Sequence, residues 1–167
     1  MILPAQIIRL RRPIEPFHER TVVNGMTFGL GPAGYDVRIA EDVSLYPGGL
    51  QYMEKQGFLE MRDHRFVLAS TIETFDIPPD LMAMVMDKSS WARKGLSLFN
   101  TVLEPGWRGS LTLELIYHGH NILDIPAGAP IAQIVFHQLM EATDQPYGNG
   151  KYQNQKPGPQ PAIYEVK

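Results

Sequence analysis

The chain has 167 residues, of which 44% are hydrophobic and 20% charged, and it contains no cysteine. This length is typical of one domain, and a chain without cysteine has no disulfides, thiolate zinc sites or cysteine nucleophiles. A net charge of −3 argues against a nucleic-acid-binding face. No apolar run reaches the ~18 residues of a membrane helix, and the N-terminal segment lacks the residue order of a secretory signal. We therefore expect a cytoplasmic protein without membrane or nucleic-acid partners.

The first half of the chain predicts short strands and one short helix. Residues 4–10 read as a helix with proline at a tolerated first-turn position. Alternating polar and apolar residues predict strands over 35–39 and 66–72. The apolar run 81–86 predicts a buried strand, whose three methionines we interpret as core residues.

The second half adds one more helix and two strands. Residues 89–94 predict a short helix with Gly95 as its C-terminal cap. Strands are expected over 111–116, which alternates strictly, and over 131–136. The regular spacing predicts a mainly β fold, an antiparallel barrel or sandwich with one or two short helices. Glycine- and proline-rich turns are predicted at residues 29–34, 47–49, 104–109 and 126–128.

The segment DKSSWARKG, residues 87–95, suits an anion. Ser89 and Ser90 open the predicted helix, with Lys88 before them and Arg93 in the first turns. Backbone N–H groups at a helix N-terminus attract phosphate oxygens, and the cations add to that attraction. The same residue types also suit a serine cap followed by a solvated basic turn, and both interpretations stand.

A carboxylate lies in the middle of the strand predicted over 111–116. A period of two places Leu111, Leu113 and Leu115 on one face, and Thr112 and Glu114 on the other. Glu114 is then either a carboxylate on a wet strand face or a general base in a pocket at the mouth of a barrel. Alternation alone does not separate the two.

The C-terminal segment, residues 144–161, is rich in Gly, Pro, Asn and Gln. Its composition is typical of a disordered terminus. Tyr147 and Lys151 among flexible glycines also fit a clamp that becomes ordered on a ligand.

Four segments, in this order along the chain, resemble the dCTP deaminase family. Residues 33–37 also resemble the first motif of the trimeric dUTPases, which share that family's fold. The resemblance covers roughly residues 1–161 and implies a dUTPase-like distorted β barrel or sandwich, the β-clip. It implies one domain over residues 1–167, with 144–167 as a C-terminal lid or tail. The four segments are 88–93 (KSSWAR), 104–114 (EPGWRGSLTLE), 126–133 (PAGAPIAQ) and 151–155 (KYQNQ).

Two features favour a deaminase over a dUTPase. Glu114 stands where dUTPases usually have an aliphatic residue, and the segment from Lys151 to Gln155 replaces their glycine-rich arm with its stacking phenylalanine. Zinc-dependent cytidine deaminases need cysteine ligands, so this chain has no such zinc site. The resemblance therefore implies metal-independent hydrolytic deamination of dCTP to dUTP and ammonia, a reaction at a cyclic amidine C–N bond.

The resemblance also assigns roles to individual residues. Glu114 acts as the general base on the water that attacks C4 of the cytosine. Arg93 keeps Glu114 ionised, and Ser89 lies close to the water and the amine. Glu104 takes the place of the family aspartate that receives the deoxyribose 3′-hydroxyl. The expected substrate-binding residues are Lys88, Ser90, Glu104, Trp107, Thr112, Leu113, Gln133, Tyr147, Lys151 and Gln155.

The ligands and the assembly also follow from the resemblance. The triphosphate is held by Lys88, Ser90, Arg93, Tyr147, Lys151 and Gln155, with Mg²⁺ on its phosphate oxygens and no direct protein ligand to the metal. The sites lie between the subunits of a homotrimer, and the tail closes over a neighbour's ligand. The expected small-molecule partners are dCTP and dUTP, with dTTP as an inhibitor.

The chain departs from the family pattern between Gly95 and Glu104, where it is about two residues shorter. In relatives this stretch contacts the base, so the base specificity stays open. A 5-substituted cytosine nucleotide, a dUTP diphosphatase or bifunctional reaction, and a nucleotide-binding protein without activity are the alternatives. Glu104 in place of aspartate weakens the diphosphatase alternative, since a misplaced carboxylate costs on the order of 100-fold.

Overall fold

The secondary structure is mainly β with two short helices, in a computed structural model that describes residues 1–47, 50–55, 58–63 and 65–164. For 50–55 and 58–63 the description is limited to the backbone. The helices are α1 (Ala5–Arg11) and α2 (Ser89–Ala92). The strands are β1 (Ile14–Glu15), β2 (Thr21–Val23), β3 (Met26–Gly31), β4 (Gly34–Arg38), β5 (Val43–Leu45), β6 (Leu50–Lys55), β7 (Phe58–Asp63), β8 (Phe66–Asp76), β9 (Leu81–Asp87), β10 (Leu96–Leu98), β11 (Val102–Leu103), β12 (Arg108–Tyr117), β13 (Leu123–Ile125) and β14 (Pro130–Gln138).

The strands form two main antiparallel sheets. One sheet has the order β1-β8-β12-β10, and the other has the order β11-β9-β14-β4-β3-β2. Two-stranded pairs, β13 with β5 and β6 with β7, complete the set among the described residues. The predicted mainly β class and the five predicted strands are confirmed, although the long strands extend further than the alternating segments. The turn expected at 47–49 falls partly on residues 48 and 49, which lie outside the described part.

One hydrophobic core joins the inner faces of the two main sheets. Leu113 and Leu115 of β12 and Ile134 and Phe136 of β14 are fully buried in it. Strand β9 contributes its alternate residues Leu81, Ala83 and Val85. Its three methionines, 82, 84 and 86, lie on the outer face instead, and Met84 and Met86 are exposed. The interpretation of these methionines as core residues is wrong, because a strand sends successive side chains to opposite faces.

A bulge interrupts the regular alternation of β12. The register with β8 shifts between Ser110 and Thr112, so Leu111 is partly exposed whereas Leu113 and Leu115 are buried. Leu111 is nevertheless packed against the same hydrophobic core as Leu113 and Leu115, as the alternation predicts. Between Ser110 and Thr112 the partner in β8 moves from Thr74 to Ser70, so the additional residues of this irregularity lie in β8.

Helix α2 is shorter than the sequence predicts. It ends at Ala92, and the residues up to Gly95 form a turn. Gly95 has φ +92° and packs against the backbone of Gly119, so a side chain at residue 95 meets both strain and contact. Among the described residues, neither helix has the length and apolarity to cross a membrane.

The C-terminal segment packs on its own chain beside β12. The Asn154 amide donates to the Arg108 carbonyl, and the Ser110 amide donates to the Gln155 carbonyl, both at 2.9 Å. The Gln153 side chain accepts from the Arg108 amide and donates to the Gly106 carbonyl. A segment whose composition is typical of disorder is thus held by hydrogen bonds to a strand end.

Candidate active site

A cavity of about 480 Å³ opens beside β12, on the face that carries Glu114. Strands β8, β9, β11 and β12, the short crossing from β10 to β11, and the C-terminal segment all contribute to it. We call it the Glu114 cavity. It is lined by Phe66, Leu68, Val85, Asn100, Thr101, Val102, Leu103, Glu104, Trp107, Leu111, Thr112, Glu114, Tyr147, Tyr152, Gln155, Gln160 and Ala162.

Glu114 is the half-buried acid of this cavity. Burial raises the pKa of its carboxyl above the usual value, since low-dielectric surroundings disfavour the ionised form. Glu104 is a second, more exposed carboxyl in the same cavity. Among the described residues, the lining contains no lysine, arginine or histidine. The cavity therefore offers a proton acceptor with a raised pKa and no counter-charge for an anionic ligand.

The backbone of Glu114 is held by the residues that follow β10. Its carbonyl accepts from the Phe99 amide at 2.9 Å. Its amide donates to Asn100 Oδ1 at 3.0 Å, and Asn100 Nδ2 donates to the Thr112 carbonyl at 2.7 Å. The shortened stretch between Gly95 and Glu104 thus contacts the strand that carries the acid.

The C-terminal segment forms one wall of the cavity in its own chain. The Thr112 hydroxyl accepts from Gln155 Nε2 and from the Gln160 amide. The indole N–H of Trp107, an almost fully buried residue, donates to the Tyr152 carbonyl at 2.8 Å. The resemblance implies a tail that covers a neighbour's ligand, whereas these contacts lie within one chain.

The basic turn, which we define as residues 88–94, lies apart from the cavity. Ser89, Ser90 and Arg93 are exposed, and none of them lines the Glu114 cavity. The Arg93 guanidinium donates to the Ser89 carbonyl at 3.1 Å. Within one chain Arg93 is therefore not the counter-ion of Glu114, and the expected pair does not form there.

Lys88 is the buried member of this turn. Its Nζ lies 2.7 Å from Asp36 Oδ2, and the exposed fractions of the two side chains are 7% and 13%. Thr27 Oγ1 is a further contact at 3.4 Å. In this chain the ammonium is neutralised internally, so the expected role of Lys88 as a triphosphate ligand has no support from its placement. The sequence places Lys88 next to Ser89 and Ser90, but it does not show that Asp36 on β4 pairs with the Lys88 ammonium.

The remaining predicted site residues divide into two groups. Glu104, Trp107, Thr112, Tyr147 and Gln155 come together in the Glu114 cavity. Three others lie elsewhere. Leu113 is fully buried in the core, and Gln133 lies opposite Met86 on the outer face of β14. Lys151 is exposed, with its ammonium 5.4 Å from the centre of the Tyr152 ring.

Four polar residues that line the cavity were not among the predicted site residues: Asn100, Thr101, Tyr152 and Gln160. The sequence did draw attention to the region of Asn100, since this residue lies in the stretch where the chain departs from the family pattern. Tyr152 and Gln160 lie in the C-terminal segment, whose composition is typical of disorder and gives no sign of an ordered structure. Among the described residues, no group of three or more His, Cys, Asp and Glu has the arrangement of a metal site.

Comparisons with known proteins agree on family and fold. The sequence model of the family described as dCTP deaminase-like matches residues 5–139. A dCTP deaminase of Pyrococcus horikoshii is 34% identical over 153 residues, covering 92% of this chain and 92% of that protein. A dCTP deaminase of Helicobacter pylori is 33% identical over 160 residues, covering 85% of each.

Solved structures of low sequence identity share the fold. The 2′-deoxycytidine 5′-triphosphate deaminase of Agrobacterium tumefaciens superposes with a TM-score of 0.54 at 19% identity, covering 82% of this chain and 47% of the other. The dUTPase of Staphylococcus bacteriophage 80alpha gives a TM-score of 0.52 at 15% identity, covering 78% and 89%. At these identities the likeness concerns the fold alone.

Proposed function

The chain belongs to the dCTP deaminase-like family, and on this premise we propose that it hydrolyses dCTP to dUTP and ammonia. The single observation that carries the proposal is Glu114, a carboxyl of raised pKa in a cavity of substrate size. A raised pKa brings a carboxylate base closer to the operating pH, which improves proton transfer. Two dCTP deaminases at least 33% identical to this chain support the same reaction.

The proposed reaction uses Glu114 twice. Ionised Glu114 takes a proton from water, and the water oxygen forms a bond to C4 of the cytosine. Glu114 gives this proton to N3, takes the second water proton from the new C4 hydroxyl and passes it to the departing amine, so that C4=O forms while the C4–N4 bond breaks with its electron pair on nitrogen. Water and dCTP are consumed, ammonia and dUTP are released, and the carboxylate is regenerated without any redox partner.

We propose that each site is shared between subunits of a homotrimer. A triphosphate is strongly anionic, yet the described lining of the Glu114 cavity contains two carboxyls and no cation. Ser89, Ser90 and Arg93 are exposed on another surface of the same chain. A second copy that presents this surface to the cavity would bring the cation to the acid, and Arg93 would then favour the ionised form of Glu114.

An apolar patch on the outer sheet face supports such an assembly. Met84, Met86 and Val102 are between 36% and 44% exposed. Val135 pairs with Met84 on the neighbouring strand, so the patch extends across β11, β9 and β14. Exposed apolar side chains that cluster on one sheet face are compatible with a contact to another protein surface, and to this extent they support the proposed assembly.

Magnesium fits this proposal as a partner of the nucleotide. We assign phosphate oxygens as its ligands; among the described residues there is no group of three or more His, Cys, Asp and Glu suited to a metal. Bound there, Mg²⁺ screens the charge of the triphosphate. Lys151 and Tyr147 of the tail are the further groups that we assign to the phosphate chain.

A second candidate function is dUTP diphosphatase activity, alone or coupled to deamination. Its support is that Glu104 places a second carboxyl in the same cavity as Glu114, although a glutamate at the position of the family aspartate carries that carboxyl one methylene further from the backbone. The alternative of a modified deoxycytidine nucleotide rests on Asn100 and Thr101, which line the cavity in the shortened stretch.

A product assay separates these functions. The chain is incubated separately with dCTP, dUTP and 5-methyl-dCTP, each with Mg²⁺, and nucleotides, ammonia and pyrophosphate are quantified. We expect equal amounts of dUTP and ammonia from dCTP. Formation of dUMP and pyrophosphate identifies the bifunctional enzyme. Turnover of 5-methyl-dCTP but not dCTP identifies a modified substrate, and no product from any of the three overturns the proposal.

A further inference from the structure

We propose that Asn100 is a positioning residue for Glu114, and that its carboxamide takes the place of a missing strand residue beside β12. The inference rests on the proposed function for its catalytic readout. Its structural readout is independent of any reaction.

The geometry around Asn100 continues the ladder between β10 and β12 by one step. Backbone pairing ends at Leu98 opposite Leu115, and the Phe99 amide still donates to the Glu114 carbonyl at 2.9 Å. At the next step the Asn100 side chain replaces the backbone. Its Oδ1 accepts from the Glu114 amide at 3.0 Å, and its Nδ2 donates to the Thr112 carbonyl at 2.7 Å.

This arrangement allows the chain to change sheets within three residues. Strand β10 belongs to the sheet of β12, whereas β11 belongs to the other main sheet and begins at Val102. Only residues 99–101 connect them. The main chain thus leaves β12 at residue 100, while the Asn100 carboxamide continues to bond that strand. The crossing can be short while both backbone groups of Glu114 stay hydrogen-bonded, because the Asn100 carboxamide carries both a donor and an acceptor.

The position of these bonds matters for the acid. In an antiparallel strand the N–H and C=O of one residue point to the same edge, and both groups of Glu114 are bonded by Phe99 and Asn100. Just before this segment the pairing with β8 is broken by the bulge between Ser110 and Thr112. Asn100 therefore restrains β12 where its other edge is irregular. A displacement of about 1 Å in a catalytic group costs on the order of 100-fold in rate.

The test compares Asn100→Ala and Asn100→Asp with Asn121→Ala, a matched control in an exposed loop. We measure kcat and KM on dCTP, together with hydrogen exchange of the Glu114 amide by NMR without nucleotide. For Asn100→Ala we expect kcat to fall by about 10- to 100-fold with KM changed less than about threefold. The Glu114 amide should exchange at least about tenfold faster, because it has lost its acceptor.

Asn100→Asp keeps the acceptor and removes the donor, so it separates the two bonds. We expect protection of the Glu114 amide to be retained and kcat to fall less than in Asn100→Ala. This variant also keeps the test decisive if Asn100→Ala does not fold. The control should match the wild type in both measurements.

Three outcomes overturn the inference. They are an unchanged kcat in Asn100→Ala, a rise in KM alone, and an unchanged exchange rate of the Glu114 amide. If the wild-type chain does not convert dCTP, the proposed function fails. The exchange measurement on the three variants still decides whether Asn100 restrains Glu114.

Discussion

The Glu114 cavity and the basic turn 88–94 have complementary chemistry. The cavity has two carboxyls, one of which is the half-buried Glu114 of raised pKa, and its described lining contains no cation. The turn has two exposed serines and an exposed arginine, but these groups line no part of the cavity. One surface suits the reaction at an uncharged ring, and the other suits an anion.

The two regions differ in the sign of their charged groups, and the cations of the basic turn differ in whether they are free to bind a ligand. Lys88 belongs to the basic turn by sequence, yet Asp36 neutralises it in the interior of its own chain. Arg93 is exposed and available to another surface. The comparison therefore predicts that the two regions act together only across a subunit boundary, and that Arg93 rather than Lys88 brings the charge.

The largest expected effect comes from removing the acid. Glu114→Gln should reduce kcat on dCTP by about 10³-fold, since general acid–base catalysis contributes 10²–10⁴. Nucleotide binding, measured by calorimetry, should persist. Glu141→Gln, at an exposed site, is the control. A variant within tenfold of the wild type would remove Glu114 from the mechanism.

The same variant has a predictable effect on stability. Burial raises the pKa of Glu114 in the folded state, so the folded state binds this proton more tightly than the unfolded state. The ionised form then destabilises folding above the unfolded pKa, near 4.3. Since Arg93 of another copy would oppose this shift, the comparison is made in the Arg93→Gln background, where Glu114→Gln should leave Tm at pH 7 equal to or above that of Arg93→Gln alone, and a lower Tm contradicts this sign.

Mixing two inactive variants tests the division between subunits directly. Glu114→Gln and Arg93→Ala are each expected to be inactive alone. Co-expressed in equal amounts, they should recover about a quarter of wild-type activity, because one site in four pairs an intact Glu114 with an intact Arg93 from another copy. If the co-expressed variants stay inactive, both residues of a site belong to one chain, and the proposed division of the site between subunits is wrong.

A smaller effect is expected for the buried pair of Lys88 and Asp36. Lys88→Met leaves a buried carboxylate without its partner, which should lower the free energy of unfolding by about 3 kcal/mol. Chemical denaturation measures this, with Lys156→Met at an exposed position as the control. Unchanged stability together with weakened dCTP binding would instead make Lys88 a phosphate ligand.

The smallest effect concerns the charge environment of Glu114 in the assembled protein. A cation near a carboxylate lowers its pKa, so Arg93→Gln should raise the pKa of the Glu114 carboxyl. An NMR titration of the side-chain carboxyl carbon measures the change. Lys94→Gln, at the neighbouring exposed residue, should leave it unaltered. Equal values for both variants would show that Arg93 does not face Glu114.

The order of local patterns was enough to predict the mainly β fold and the family. Alternation over 66–72 and 111–116 marks strands because side chains on a pleated backbone have a period of two. Four segments in family order, from KSSWAR to KYQNQ, placed Glu114, Glu104 and Trp107 in one expected site. These three residues do line one cavity, since their spacing along β12 and the preceding turn is local.

Only the tertiary structure decided what depends on distant parts of the chain. The register shift beside Leu111 depends on pairing with β8, and the neutralisation of Lys88 depends on Asp36, 52 residues away. The bonds from Asn100 to β12 and from Gln155 to Thr112 likewise join separate segments. Sequence periodicity describes the environment along one strand, whereas burial, charge pairing and restraint of an acid depend on which segments the fold brings together.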